Sequence, residues 1–197
     1  MFHLPAAMRR RRLLTLFTAA ALIPAMTHAR PSRPLVVYLS RSGNTRAVAE
    51  IITEQTGGIL FALEPQPPYP RDYQAQVAAA AKELADGSGH PLAAMPDLTG
   101  VERIYLGWPT WAMQLPSPVQ TFLRQADLGG KTLCPFNTHA GYGVGDGFAT
   151  LARLAPQSRI LPGLSVEGGY EKKGILLAIQ GQRRAAVART VRAWLNS

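Results

Sequence analysis

A short apolar run that ends in a hydroxyl-rich turn constrains the fold of this chain more than any other feature. The run, LVVYL at residues 35–39, has no alternating polar residues, which is typical of a strand buried on both faces of a sheet. The turn that follows, SRSGNT at residues 40–45, supplies three hydroxyl groups and a glycine. A helix is predicted to begin at Asn44 or Thr45. We predict a phosphate site here, because the first amides of a helix favour an anion.

Strands and helices alternate along the rest of the chain. We predict strands at residues 35–39, 59–63, 103–108, 133–138 and 160–166. Helices are predicted after the first turn, at residues 71–86, 118–126 and 147–154, and at the C-terminus. In the second of these helices, one face is expected to carry Val77, Ala80 or Ala81, and Leu84. Five strand-helix units predict one α/β domain with a parallel sheet and helices on both of its faces.

The loops after the third and fourth predicted strands have unusual compositions. A parallel sheet of this kind binds ligands beyond the carboxyl ends of its strands. Residues 107–116 contain two tryptophans and two prolines, which offer a rigid aromatic surface for stacking. Residues 138–147 contain four glycines and Tyr142, so backbone groups can approach a ring closely. Core packing of the tryptophans and a flexible turn at the glycines are the alternative interpretations.

The pattern Ser-x-Ser-Gly-x-Thr between a first strand and a first helix resembles the FMN-phosphate loop of the flavodoxin-like family. The segments YPRDY at residues 69–73 and GWPTW at residues 107–111 are similar to those of an exported bacterial subgroup of that family. The resemblance covers most of residues 34–197. It implies a single-domain, flavodoxin-like three-layer sandwich around a five-stranded parallel sheet of order 2-1-3-4-5, with noncovalently bound FMN as the cofactor.

The resemblance also implies which residues would contact the cofactor. The phosphate would be held by Ser40, Arg41, Ser42, Gly43, Asn44 and Thr45. One side of the flavin ring would be lined by Pro109, Thr110, Trp111 and Ala112, and the other by Thr138, Gly141, Tyr142 and Gly143. Positive charge on Arg41 and Arg46 would favour the anionic, fully reduced flavin.

By this resemblance the protein is expected to transfer electrons through FMN. It would act either as a carrier for a redox partner protein or as an NAD(P)H:quinone-type reductase of a small electron acceptor. A hydrolase or a ligand-binding module without redox activity is the alternative of another class. Against a hydrolase, Ser42 is not in a Gly-x-Ser-x-Gly elbow. The histidines are isolated along the sequence, so we predict no metal site.

Residues 1–29 have the features of an export signal. Arginines at residues 9–12 precede an apolar stretch at residues 13–23, and THA at residues 27–29 has the small residues that a signal peptidase reads. The arginine pair followed by Arg12-Leu13-Leu14 is typical of a twin-arginine signal, with a general secretory signal as the alternative. The apolar stretch is shorter than the roughly 20 residues of a membrane-spanning helix. We therefore predict an exported, periplasmic domain at residues 30–197 without a membrane anchor.

Charge and cysteine content restrict the partners further. Without residues 1–29, which hold four arginines and no carboxylate, the formal net charge falls from +9 to +5. The remaining basic residues are scattered and lack the aromatic-basic interleaving of a nucleic-acid surface, so we predict no nucleic-acid partner. Cys134 is the single cysteine, which excludes an intrachain disulfide.

Replacing Arg10 and Arg11 together with lysine tests the twin-arginine interpretation. We expect the double variant to accumulate in the cytoplasm, because lysine keeps the positive charge but removes the arginine pair. Cell fractionation followed by immunoblotting measures the distribution, and Arg9→Lys, which leaves the pair intact, is the control. Unchanged export of the double variant would leave a general secretory signal as the explanation.

Overall fold

The computed structural model describes residues 32–197, in which strands and helices alternate around a parallel sheet. The elements are β1 (Leu35–Tyr38), α1 (Asn44–Thr56), β2 (Ile59–Ala62), α2 (Tyr73–Asp86), β3 (Arg103–Pro109), α3 (Ser117–Gln125), β4 (Thr132–His139), α4 (Gly147–Leu154), β5 (Arg159–Ile160), β6 (Leu164–Glu167) and α5 (Gly181–Leu195). The strand order is β2-β1-β3-β4-β5, which confirms the predicted order, and β6 also pairs with β4. The predicted export signal lies outside the described residues.

Two apolar layers, one on each face of the sheet, hold the helices in place. Successive residues of β1 point into opposite layers: Val36 and Tyr38 pack with α1 and α5, whereas Val37 packs with α3 and α4. All four residues of β1 are buried, as the unbroken apolar run predicted. Because α2 packs beside α3, the helices form two outer layers and the structure is a three-layer sandwich.

The fifth predicted strand is interrupted. Residues 160–166 contribute to two short strands, β5 and β6, which pair with opposite ends of β4. Pro162 lies between them and has no backbone N–H to donate to the sheet. A side chain at Gly163 would also meet the ring of Phe148. After this break, β6 continues to the carboxyl edge of the sheet, where the N–H of Gly168 donates to the carbonyl oxygen of His139 at 2.8 Å.

The single cysteine of the chain is buried. Cys134 lies inside β4, and burial raises the pKa of its thiol to about 11. The thiol is therefore protonated at neutral pH and is a packing group rather than a nucleophile. Within residues 32–197, no helix has the length and apolar character needed to cross a bilayer, and no three His, Cys, Asp or Glu side chains are grouped to hold a metal ion.

Substituting Gly107 in β3 tests the packing at the centre of the sheet. A methyl group there would overlap the ring of Phe136 on the neighbouring strand β4. We expect Gly107→Ala to lower the free energy of unfolding by about 1–3 kcal/mol, as overpacking commonly does. Denaturant unfolding measures the change. Gly129→Ala is the control, because a methyl group there comes no closer than 3.4 Å to its neighbours; equal losses in both variants would contradict the packing.

Candidate functional site

A cleft of about 420 Å³ opens at the carboxyl edge of the sheet. Its volume is within the range of small-molecule sites. The loops after β1, β3 and β4 line it, as the positions of the unusual residues predicted. The predicted site residues that line the cleft are Ser40, Arg41, Ser42, Asn44, Thr45, Pro109, Thr110, Trp111, Ala112, Thr138 and Tyr142. The three predicted glycines, Gly43, Gly141 and Gly143, lie within the same loops and have left-handed backbone conformations.

The turn between β1 and α1 gathers hydrogen-bond donors at the start of the helix. Gly43, with φ of 91°, makes the sharp entry into α1 that a residue with a side chain would resist. The Oγ atom of Ser40 accepts from the backbone N–H groups of Gly43 at 3.2 Å and Arg46 at 3.3 Å. The other amides of the first turn of α1, those of Asn44 and Thr45, have no preceding helical turn to bond with. With the hydroxyls of Ser42 and Thr45 beside them, these donors fit a phosphate group.

The side chain of Asn44 connects this turn to the segment before α5. Its Nδ2 atom donates to the carbonyl oxygen of Leu176 at 2.6 Å and to Oγ of Ser42 at 3.0 Å. Its Oδ1 atom accepts from the backbone N–H groups of Ala178 at 2.9 Å and Ile179 at 3.2 Å. The side chain is therefore a buried clamp inside the protein. Its backbone amide, at the start of α1, is the part of Asn44 that is placed for the predicted phosphate contact.

Arg41 and Arg46, the two arginines of the turn, are both paired with carboxylates. Arg41 forms a two-pronged ion pair with Glu171, with both N–O distances at 2.9 Å, and also donates to two backbone carbonyls before α2. Arg46 pairs with Glu50 one helical turn later at 2.8 Å. The positive field in the cleft is therefore weaker than the two arginines of the sequence suggested.

The two tryptophans of the loop after β3 have different environments. Trp108 is fully buried in the core, so the core-packing interpretation applies to it. Trp111 lines the cleft and begins a tight turn, in which the N–H of Gln114 donates to its carbonyl oxygen at 2.8 Å. The central residues of that turn, Ala112 and Met113, have φ angles of 48° and 59°. Such angles are uncommon for residues with side chains, and they cluster at functional sites.

The loop after β4 is tied to the rest of the site by hydrogen bonds. The Oγ1 atoms of Thr138 and Thr45 lie 2.7 Å apart and join this loop to the start of α1. The Nδ1 atom of His139 accepts from the N–H of Gly141 at 3.0 Å, so the imidazole anchors the loop. Burial lowers the pKa of His139, although Glu167 opposes the shift, so the ring is neutral at pH 7.

The loop after β6 also lines the cleft and was not predicted. It contributes Gly168, Gly169, Tyr170, Glu171 and Lys172. The hydroxyl groups of Tyr170 and Tyr142 are hydrogen-bonded, and the rings meet edge to face with their centroids 5.7 Å apart. The glycine pair directly after the fifth predicted strand was an available signal, because the carboxyl ends of all parallel strands meet at one edge.

Helix α2 lines the cleft as well. Of the residues predicted on one face of this helix, Ala80 is buried, whereas Val77 is 39% exposed and borders the cleft; the polar Gln76 is buried. Tyr73 and Ala80 complete this side. The sequence carries no clear signal for this, because a run of alanines at residues 78–81 leaves the apolar face of the helix poorly defined.

Comparisons with known proteins place this α/β chain in a family. A family model described as Flavodoxin matches residues 33–178, so the chain belongs to the flavodoxin family. Among curated proteins, no sequence matches it significantly.

Solved structures share the fold. A candidate flavoprotein from Bacteroides uniformis is 24% identical with a TM-score of 0.65, over 73% of this chain and 96% of that one. One from Bacteroides eggerthii is also 24% identical, with a TM-score of 0.66 over 83% and 96%. A flavoprotein from Lactobacillus acidophilus, determined in complex with FMN, is 20% identical with a TM-score of 0.59 over 68% and 91%.

Asn44→Ala tests the clamp between the phosphate turn and the segment before α5. The substitution removes four hydrogen bonds and leaves the amide of the buried Ile179 without its acceptor. We expect the free energy of unfolding to fall by about 1–3 kcal/mol, the cost of an unsatisfied buried group. Hydrogen exchange should accelerate at the amides of Ala178 and Ile179. Asn196→Ala, at the exposed end of the chain, is the control; unchanged exchange at both amides would contradict the clamp.

Proposed function

We propose that the protein binds FMN noncovalently in the cleft and transfers electrons through the flavin. Three features that meet in one cleft carry this proposal. They are the helix start that favours an anion, the aromatic side chain of Trp111, and the aromatic pair of Tyr142 and Tyr170. Membership of the flavodoxin family supports the same ligand. The complex of the Lactobacillus acidophilus flavoprotein with FMN supports it further.

Different residues of the cleft would contact the phosphate and the ring of the cofactor. The phosphate would be held by the amides at the start of α1 and by the hydroxyls of Ser42 and Thr45. The Oγ atom of Ser42 accepts from Asn44, so its own hydrogen is left to donate to the phosphate. Trp111 and Tyr142 would border the flavin ring. When bound, FMN supplies the one- or two-electron chemistry that amino-acid side chains lack.

The rim of the cleft supports access by an electron partner. Tyr142 is 63% exposed and Met113 is 44% exposed, so two large side chains at the mouth contact solvent. Such a rim suits a redox partner protein, and the open mouth also favours the second candidate, an NAD(P)H:quinone-type reductase acting on a small acceptor. Oxidation of NADH or NADPH coupled to quinone reduction would distinguish the reductase from the carrier. The arginine cluster at residues 9–12 supports a partner outside the cytoplasm.

Comparing FMN with riboflavin tests the phosphate site directly. Ser42→Ala removes a hydroxyl donor to a charged acceptor, which is worth about 1.5–3 kcal/mol, so we expect FMN affinity to fall roughly ten- to hundredfold. Riboflavin, which lacks the phosphate, should bind both proteins equally. Titration followed by flavin fluorescence measures each affinity.

Ser32→Ala is the matched control for this titration. Ser32 lies at the opposite edge of the sheet, beside Glu102 and Arg103, so FMN affinity should not change. If the unsubstituted protein binds FMN and riboflavin equally well, the turn at residues 40–45 does not hold the phosphate and the proposal is wrong.

A further inference from the structure

Three polar side chains beside the cleft, Tyr69, Glu83 and His90, form a hydrogen-bonded chain that the proposed function does not use. The hydroxyl of Tyr69 donates to Oε2 of Glu83. The Oε1 atom of Glu83 lies 2.7 Å from Nδ1 of His90, and Nε2 of His90 lies 2.7 Å from the carbonyl oxygen of Pro67. His90 is only 7% exposed, so these contacts are shielded from water. We call Tyr69, Glu83 and His90 the triad.

The triad reaches the cleft through the ring of Tyr69. This ring stacks on the imidazole of His90 with the centroids 4.3 Å apart. Its other contact is with Trp111, which it meets edge to face at 5.2 Å with an angle of 85° between the rings. Trp111 lines the cleft. Trp111 begins the strained turn through Ala112 and Met113, and the ring of Tyr69 is the fixed neighbour that holds its ring in one orientation.

The contacts of the triad require one shared proton. A carbonyl oxygen can only accept, so Nε2 of His90 carries a hydrogen toward Pro67. The 2.7 Å contact between Nδ1 of His90 and Oε1 of Glu83 then needs a second hydrogen, carried by either atom. Without it, a nitrogen lone pair would face an oxygen lone pair. The Tyr69 hydroxyl does not release this proton, because burial and the hydrogen bond to Glu83 raise the pKa of Tyr69.

Few charged groups of the neighbouring elements lie near the contact between Glu83 and His90. From α3, the Oγ1 atom of Thr121 accepts from the backbone N–H of His90 at 3.3 Å. Arg124, also on α3, lies near Gly89, and its guanidinium donates to Gln120 at 2.8 Å. From α2, Glu83 is the carboxylate that contacts the imidazole. The shared proton therefore belongs to the contact between Glu83 and His90.

We propose that the triad positions Trp111 against the flavin and thereby strengthens flavin binding; this rests on the proposed FMN site. Tyr69, Glu83 and His90 are positioning residues, since they act through Trp111. The carboxylate of Glu83 contacts the hydroxyl of Tyr69 and the imidazole of His90 at the same time. Without it the ring of Tyr69 is no longer fixed, Trp111 loses its edge-to-face contact, and FMN affinity falls.

Two substitutions of Glu83 test whether its side-chain contacts hold Trp111 in place. Glu83→Ala removes the partner of both Tyr69 and His90. Glu83→Gln keeps both contacts without a shared proton, because its amide oxygen accepts from Tyr69 and its amide nitrogen donates to Nδ1 of a neutral His90. We expect Glu83→Ala to bind FMN about two- to tenfold more weakly, the range of an edge-to-face aromatic pair, and Glu83→Gln to bind as the unsubstituted protein does at about pH 7.

Rescue by the conservative variant is the decisive readout. FMN affinity should fall in Glu83→Ala and be retained in Glu83→Gln, because only the alanine loses both contacts of the carboxylate. Full affinity in Glu83→Ala, or an equal loss in Glu83→Gln, would overturn the proposal. If Glu83→Ala fails to fold, Tyr69→Leu, which removes the ring that meets Trp111, takes its place, and full FMN affinity in that variant would overturn the proposal.

A second measurement on the flavin-free protein separates this proposal from the FMN site. Acrylamide quenching of tryptophan fluorescence reports the exposure of Trp111, and Trp111→Phe identifies its share of the signal. We expect quenching of Trp111 to increase in Glu83→Ala but not in Glu83→Gln. If the unsubstituted protein binds no FMN, the proposed function is wrong, and quenching alone decides whether the triad positions Trp111; identical quenching in all proteins overturns it.

Discussion

The clamp formed by the side chain of Asn44 holds together the two distant parts of the chain that make the cleft. Three of its four hydrogen bonds join the turn after β1 to backbone groups of residues 176–179, and the fourth goes to Ser42 within the turn. Because all of its polar atoms are satisfied inside the protein, the buried amide stabilises one arrangement of the two segments rather than several. The ion pair between Arg41 and Glu171 joins the same two regions at a second point. The turn is therefore organised before any ligand arrives, which reduces the ordering cost of binding.

The parallel sheet could be predicted from the sequence because its inner strand β1 is buried on both faces. Such a strand must be apolar at every position, so residues 35–38 stand out without any knowledge of their neighbours. The position of the cleft follows from the same argument, since the loops at one edge of the sheet have unusual compositions. The interruption at Pro162 was harder to predict, because its effect depends on which part of β4 each fragment pairs with.

The electrostatics of the cleft could not be predicted from the sequence. A sequence shows Arg41 as a charge in a phosphate turn, whereas its partner Glu171 is 130 positions away and meets it because the loops after β1 and β6 share one edge. The same limit applies to Trp108 and Trp111. Only two residues lie between them, yet one fills the core and the other borders the cleft, and the exact end of β3 decides which is which. Pairing and side-chain direction at strand ends depend on tertiary contacts.

The absorption spectrum of the protein purified without added flavin tests the central claim most directly. We expect the visible bands of an oxidised flavin, release of stoichiometric FMN on acid denaturation, and bleaching on anaerobic reduction that an added electron acceptor reverses. A colourless protein whose spectrum does not change when FMN is added would contradict the account, because the cleft would then hold no flavin.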